Sequence, residues 1–481
     1  MLKNIIKHTT LYSGADLAFK FAKFAAFPIF AHLLSVEDFG ILALVNVLME
    51  LFFLFANCGL NEAVQRDYHH EKKHGIVITG MATLIFFSAL ITLAALLITS
   101  RYSAMFYDHF GITPRALLFA ALSVIPVQLY LFSQAVIRMR LQLGLSSLFS
   151  GLQVILNTLL CILFVAVFHW GVSGYVAGVI LSYALTMPFT LYIIRHELTG
   201  SISFERCIGL LRFGYPYCTA ALAFWIFGSL DRWMLADLTD TIEVSLYSIA
   251  FRLCSLLIFI NLACTDAWKP HAMKLYHDDP GYRNVFSQYL TLSFFLFIVI
   301  GSGIALFGRE LLMLLTPEEY WAASHLIPPI AMGLTLYATS QTTVVGILIS
   351  KRNLHVTGAA WTCAAVNVLL NAFLIPFYGA FGAAGATLTS YALLSGYYLF
   401  VSQRLHPLPL EKSKLSACLL LCIFLFFSTL CLDTFIWSYA IVTMKAMLFF
   451  GAVAIGTVLG IIKPKELYVW YRRDLRTQPE S

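Results

Sequence analysis

Three charged residues, Asp16, Lys20 and Lys23, interrupt a stretch that is otherwise apolar enough to cross a membrane, Leu11 to Leu34. Their spacing of i, i+4 and i+7 puts all three on one stripe of a helix. A charge at the centre of a lipid-facing helix costs about 2.5–3.5 kcal/mol. The stripe must therefore turn toward other helices or a wet cavity. One carboxylate against two amines leaves a positive surplus, and the chemistry that suits is the holding of an anion.

Further intramembrane charges follow. Asn46, Glu50 and Asn57 share a stripe of the second apolar span, Asp231 and Arg232 lie near the outer end of the seventh, and Arg252 is in the eighth. At 1.5 Å per residue, Lys20, Glu50 and Arg252 each fall within about 5 Å of mid-membrane. Lys20, Lys23 and Arg252 are the candidates for gripping an anionic head group. Asp16, Glu50, Asn46, Asp231 and Arg232 are candidates for a polar cavity lining or for coupling. The same charges could instead pair internally, Asp16 with Lys20 for example, and only lock helices together. Buried pairs stabilise less than apolar packing of the same volume, which favours a use for them.

The elements that must position these residues are membrane helices. The chain has 481 residues, 60% of them hydrophobic and only 12% charged, where soluble domains carry roughly a quarter. The fold class expected is an all-α integral membrane protein of about fourteen transmembrane helices. Expected spans include 10–34, 39–61, 210–236 and 243–267, and the last is 438–462. With both termini in the cytoplasm, 23 Lys and Arg fall on inner segments and 3 on outer loops, which satisfies the positive-inside rule. The net charge of +6 reflects that bias and does not speak for a nucleic-acid partner. The acidic segment Ser35 to Asp38 reads as a short outer loop.

The chain also repeats itself. Gly171, Gly174, Ser182, Tyr183, Ala184 and Leu185 recur 208 residues later as Gly379, Gly382, Ser390, Tyr391, Ala392 and Leu393. FGILALV at 39–45 is echoed by VSLYSIA at 244–250, displaced by 205. Six spans per repeat make the halves insert the same way up, as two six-helix bundles in a parallel repeat with the site between them. The expected domains are residues 1–200, 201–405, a pair of extra helices over 406–462, and a basic cytoplasmic tail over 463–481.

No catalytic constellation is legible. His69, His70, Glu71 and His74 could ligate a metal but read as a solvated loop. Glu37 and Asp38 invite comparison with membrane glycosyltransferases, yet the large outer domain those enzymes use is missing. The amide pairs Gln153/Asn157 and Asn367/Asn371 read as interhelical hydrogen-bond glue. Neither an enzyme, a metal site nor a cofactor is expected.

Several stretches, in order, resemble polysaccharide flippases of the Wzx type in the multidrug/oligosaccharidyl-lipid/polysaccharide exporter superfamily. They are AHLLSVEDFGILALV (31–45), GLNEAV (59–64), QAVIRMR (134–140), LDRWMLADLTDTIEVSLYSIAFRL (230–253) and the segment 314–333. The resemblance implies two bundles that open alternately to either side of the inner membrane. It implies an undecaprenyl-pyrophosphate-linked glycan as cargo, a polysaccharide polymerase and a chain-length regulator as partners, and ion or proton coupling as an open option. Relatives that flip peptidoglycan's lipid precursor use basic residues on spans one, two and eight. Lys20, Lys23 and Arg252 match that placement, while Glu50 departs from it. The alternative is a multidrug antiporter of the same superfamily, which would want an anionic cavity.

Overall fold

The computed structural model describes residues 21, 24–68, 75–278, 280–350, 352, 354–432 and 439–461. Among them no strand occurs, and twelve helical stretches are long and apolar enough to span a bilayer. One of these, Leu354–Leu405, has 52 residues, roughly 78 Å of helix against about 30 Å of hydrocarbon. It breaks at Gly379, where φ is 54° and ψ −136°, and so leaves two stretches, 354–378 and 380–405, each long enough for one crossing. The first expected span lies mostly outside the described residues, with Asp16, Lys20 and Lys23; its described helical end is Phe27–Leu33. The histidines of the first inner loop and the 463–481 tail lie outside them too.

The helices are built inside out, as a lipid solvent requires. On the Leu143–Ile162 helix, Leu148, Leu152, Ile155 and Leu159 are exposed while Gln153 is buried. Gln153 Nε2 donates to Ser182 Oγ (3.0 Å), and its Oε1 accepts from Thr186 Oγ1 (2.6 Å). Asn157 Oδ1 accepts from Ser182 Oγ at 3.2 Å. These bonds tie Leu143–Ile162 to Gly171–Ile194, the gluing role expected for this amide pair. Gly178 permits the approach, since a Cβ there would stand 2.6 Å from the Cys161 nitrogen.

The chain divides into two compact units. The first comprises Met1–Ile249, Leu315–Tyr320 and Ala360–Ala386; the second comprises Ala250–Leu314, Trp321–Ala359 and Thr387–Ser481. In the first, a core of Leu60, Val64, Leu84, Phe132, Val136 and Ile194 joins four helices. In the second, Trp268 stacks on Tyr289 with ring centres 3.6 Å apart and planes 8° from parallel.

Near that stack, His406 is buried against Tyr282, and its Nε2 has no hydrogen-bond partner among the described residues. Burial, and after it the Arg283 charge, hold the imidazole below its ordinary value. The folded state therefore prefers neutral His406. Its contribution is complete above about pH 6.5, the unfolded value, and is lost as pH falls from there through the lower folded value. Thermal unfolding of the purified protein should show a drop in Tm on mild acidification that shrinks in His406→Phe. Equal drops in both proteins would exonerate His406.

Candidate functional site

The first unit builds its polar site from the second expected span. Ser35 Oγ accepts from the Asp38 nitrogen at 3.1 Å, and Glu37 and Asp38 occupy the first turn of Val36–Asn57. What reads in sequence as an acidic loop is thus a capped helix start, the position where carboxylates complement the helix dipole. Glu50 lies 14 residues further, roughly 21 Å along a helix of roughly 33 Å.

The helix stops at Cys58 and Gly59, both left-handed at φ 46° and 70°, and resumes as Leu60–Asp67. Glycine is needed at 59 twice over: for its φ, and because a Cβ there would lie 2.2 Å from the Gly214 carbonyl oxygen. This close approach presses the turn onto Phe204–Leu238, while the Trp225 indole N–H donates to the Val47 carbonyl at 3.2 Å.

Between these elements lies a cavity of about 520 Å³ whose polar lining is Glu50, Asn57, Asn61, Glu62, Gln128 and Tyr217. Glu50 Oε2 accepts from Ser229 Oγ at 3.2 Å. Gln128 Nε2 donates to the Phe53 carbonyl at 2.6 Å. The buried oxygens Asn57 Oδ1 and Asn61 Oδ1 accept no hydrogen bond from the described residues. An unmet buried acceptor costs about 1–3 kcal/mol, so both oxygens are poised for an O–H or N–H donor on a ligand or solvent. Two carboxylates and three amides can bind hydroxyls or a cation. No Lys or Arg lines this cavity among the described residues.

The other sequence candidates fall elsewhere. Asn46 Nδ2 donates to its own helix, at the Leu42 carbonyl 2.9 Å away, so the stripe it shares with Glu50 does not make it part of the cavity lining. Asp231, fully enclosed, accepts from the Tyr247 hydroxyl and from the Arg232 nitrogen, with Arg232 Nη1 3.6 Å away. Arg232 also donates to the Gly228 carbonyl at 3.0 Å. These two behave as an internal pair. Arg252, in the second unit, is half-buried and has no ion pair among the described residues. Lys20, Lys23 and Asp16 lie outside the described residues. No cluster of three metal-ligating side chains occurs among the described residues.

Sequence reasoning missed Asn61, Glu62, Gln128, Tyr217 and Ser229; Asn61 and Glu62 stood in it only as part of the GLNEAV stretch. An amide inside the mostly apolar 114–137 stretch, which holds Gln134 as well, was the available signal for Gln128. Nothing in the spacing singles out Tyr217 or Ser229, which reach the site only through the Gly59–Gly214 contact and the helix it brings near.

Comparison with solved structures agrees on a helical membrane-protein fold. The inward closed conformation of the lipid II flippase MurJ superposes with a TM-score of 0.72 at 15% identity, covering 94% of this chain and 100% of that one. An inward-facing multidrug resistance MATE family transporter of the MOP superfamily gives 0.65 at 16% identity, covering 80% and 93%. An uncharacterised membrane protein of Methanocaldococcus jannaschii is 22% identical over 218 residues, 42% of this chain and 52% of that protein. The chain thus spans about half the length of the curated relative it matches. Residues 29–325 match the family described as Polysaccharide biosynthesis protein. The chain belongs to that family.

Proposed function

We propose that this protein flips a lipid-linked glycan from the inner to the outer leaflet of the cytoplasmic membrane. The observation that carries the reading is membership of a polysaccharide biosynthesis family in a chain with the fold of a lipid flippase. A sugar-diphosphate head cannot cross roughly 30 Å of hydrocarbon unaided. Lys20, Lys23 and Arg252 are the groups we assign to the diphosphate, through charge-assisted hydrogen bonds, and the cargo we assign is undecaprenyl-pyrophosphate-linked. The amides and carboxylates around Glu50 suit the sugar hydroxyls, and Glu50 and Asp16 are the carboxylates through which a coupling proton would pass. In this reading both termini are cytoplasmic, and a polymerase with its chain-length regulator takes over the product outside.

A second reading has one specific observation in its favour: the described cavity lining carries Glu50 and Glu62 and no cation, as an antiporter of cationic drugs would want. Depletion of the protein separates the two. Lipid-linked glycan should accumulate at the inner leaflet while surface polysaccharide falls. Unchanged lipid-linked intermediates together with heightened sensitivity to cationic drugs would instead favour the antiporter.

A further inference from the structure

The internal repeat places two sites in correspondence that the chain has finished differently. Displacement by 205 takes Asp38 to Glu243, and displacement by 208 takes Gly171 and Val172 to Gly379 and Ala380. Both glycines have φ of +54°. At the second site Glu243 Oε2 accepts from the Ala380 nitrogen at 2.7 Å, and a Cβ on Gly379 would stand only 2.7 Å from that same oxygen. The carboxylate fills the space and caps the backbone. At the first site the acid is one methylene shorter, and a Cβ on Gly171 would meet nothing within 4 Å. The space left is a cavity of about 210 Å³ that includes Asp38, Thr113, His169, Trp170 and Ser173 in its lining.

We infer that this cavity binds a single pyranose ring of the glycan. It belongs wholly to the first unit, at the end the positive-inside bias assigns to the outer face. Its groups are those a sugar ring asks for. The Asp38 carboxylate accepts from hydroxyls, and Thr113 Oγ1 and Ser173 Oγ, already 3.0 Å apart, keep lone pairs for more. The His169 imidazole can donate or accept. Trp170, held by stacking on Phe164 at 5.2 Å, leaves 48% of its surface open for the C–H face of a ring. A free phosphate is opposed by the Asp38 charge. The choice of a sugar rests on the flippase reading, and its test does not depend on transport.

Full-length protein carrying 5-fluorotryptophan, purified in detergent, would be titrated with glucose, galactose, N-acetylglucosamine and rhamnose, with inorganic phosphate as the anion control. The ¹⁹F line of Trp170, assigned by its loss in Trp170→Phe, should move with at least one sugar at millimolar concentration. Asp38→Glu copies the filled site, so it should fold with an unchanged Tm yet bind that sugar about tenfold or more weakly, the effect of one charge-assisted hydrogen bond. Silence with the whole panel, a shift with phosphate instead, or equal sugar binding by Asp38→Glu would each overturn the inference. If Trp170 responds but depletion leaves lipid-linked glycan unchanged, the sugar site stands and the flippase reading falls. If depletion behaves as expected and Trp170 is silent, the flippase holds its glycan elsewhere and this inference falls.

Discussion

Alanine at Lys20, Lys23 or Arg252 should strip the cell of most of its surface polysaccharide while the protein stays in the membrane at near-native level. If these residues hold the diphosphate as proposed, each replacement removes a charge-assisted hydrogen bond worth about 1.5–3 kcal/mol, or about ten- to hundredfold in affinity. Lys20→Arg should keep part of the activity, because the charge survives and the geometry changes. Were these cations mere helix locks, alanine would lower the amount of folded protein, and neutralising the partner carboxylate would restore it. Asp231 and Arg232 show in this same chain what a lock looks like: adjacent, enclosed and bonded to each other and to neighbours. Arg252 has no such ion pair among the described residues, which is why it stays with the site. Glu50→Gln serves as the contrasting variant, expected to flatten the pH dependence of flipping in vesicles while leaving binding of the lipid-linked glycan largely intact. Immunoblots of membranes beside polysaccharide gels read the alanine and arginine variants. Full complementation by the alanine variants at normal expression would remove the cationic site.

Composition made this a membrane protein, and apolar runs of about 20 residues made its spans helices, where barrel strands would alternate over about ten. The repeat was legible through glycines: Gly171 and Gly379 keep the same left-handed φ because only glycine adopts it without cost. The stripe through Asn46, Glu50 and Asn57 is divided in the structure: Glu50 and Asn57 line one cavity, while the Asn46 amide donates to its own helix. Angular position does not say whether an amide will bond to its own helix. Periodicity also could not find Tyr217 or Ser229, since their helix reaches the cavity through a backbone contact at Gly59 and Gly214. Ser35 to Asp38 read as a loop because acidic residues between apolar runs look solvated. The serine three residues ahead of Asp38 was the capping signal.

The second large effect concerns an intramembrane cation to which the sequence assigned no role. Lys445, on Tyr439–Val458 in the second unit, is 1% exposed, and its Nζ lies 3.0 and 3.2 Å from the two carboxylate oxygens of Glu310. Glu310 belongs to the short Gly308–Leu315 helix of the same unit, so the pair fastens the last described helix to the unit's interior. Removing one member of a buried pair strands the other, at a cost of about 3–5 kcal/mol. The Glu310 side chain keeps 20% exposure, and that access to solvent argues for the lower end. A loss of about 3 kcal/mol is a large part of the 5–15 kcal/mol that stabilises a typical domain. Lys445→Ala and Glu310→Ala should therefore each lower the Tm in detergent and the yield of monodisperse protein. The double replacement Lys445→Met with Glu310→Leu should recover most of both, because apolar packing of similar volume substitutes well for a buried pair. It should also recover surface polysaccharide, which no neutralisation at Lys20 or Lys23 is expected to do. Single variants with an unshifted Tm would mean the pair does not anchor this helix. A stable double variant that still fails to export would move Lys445 from the scaffold to the transport path.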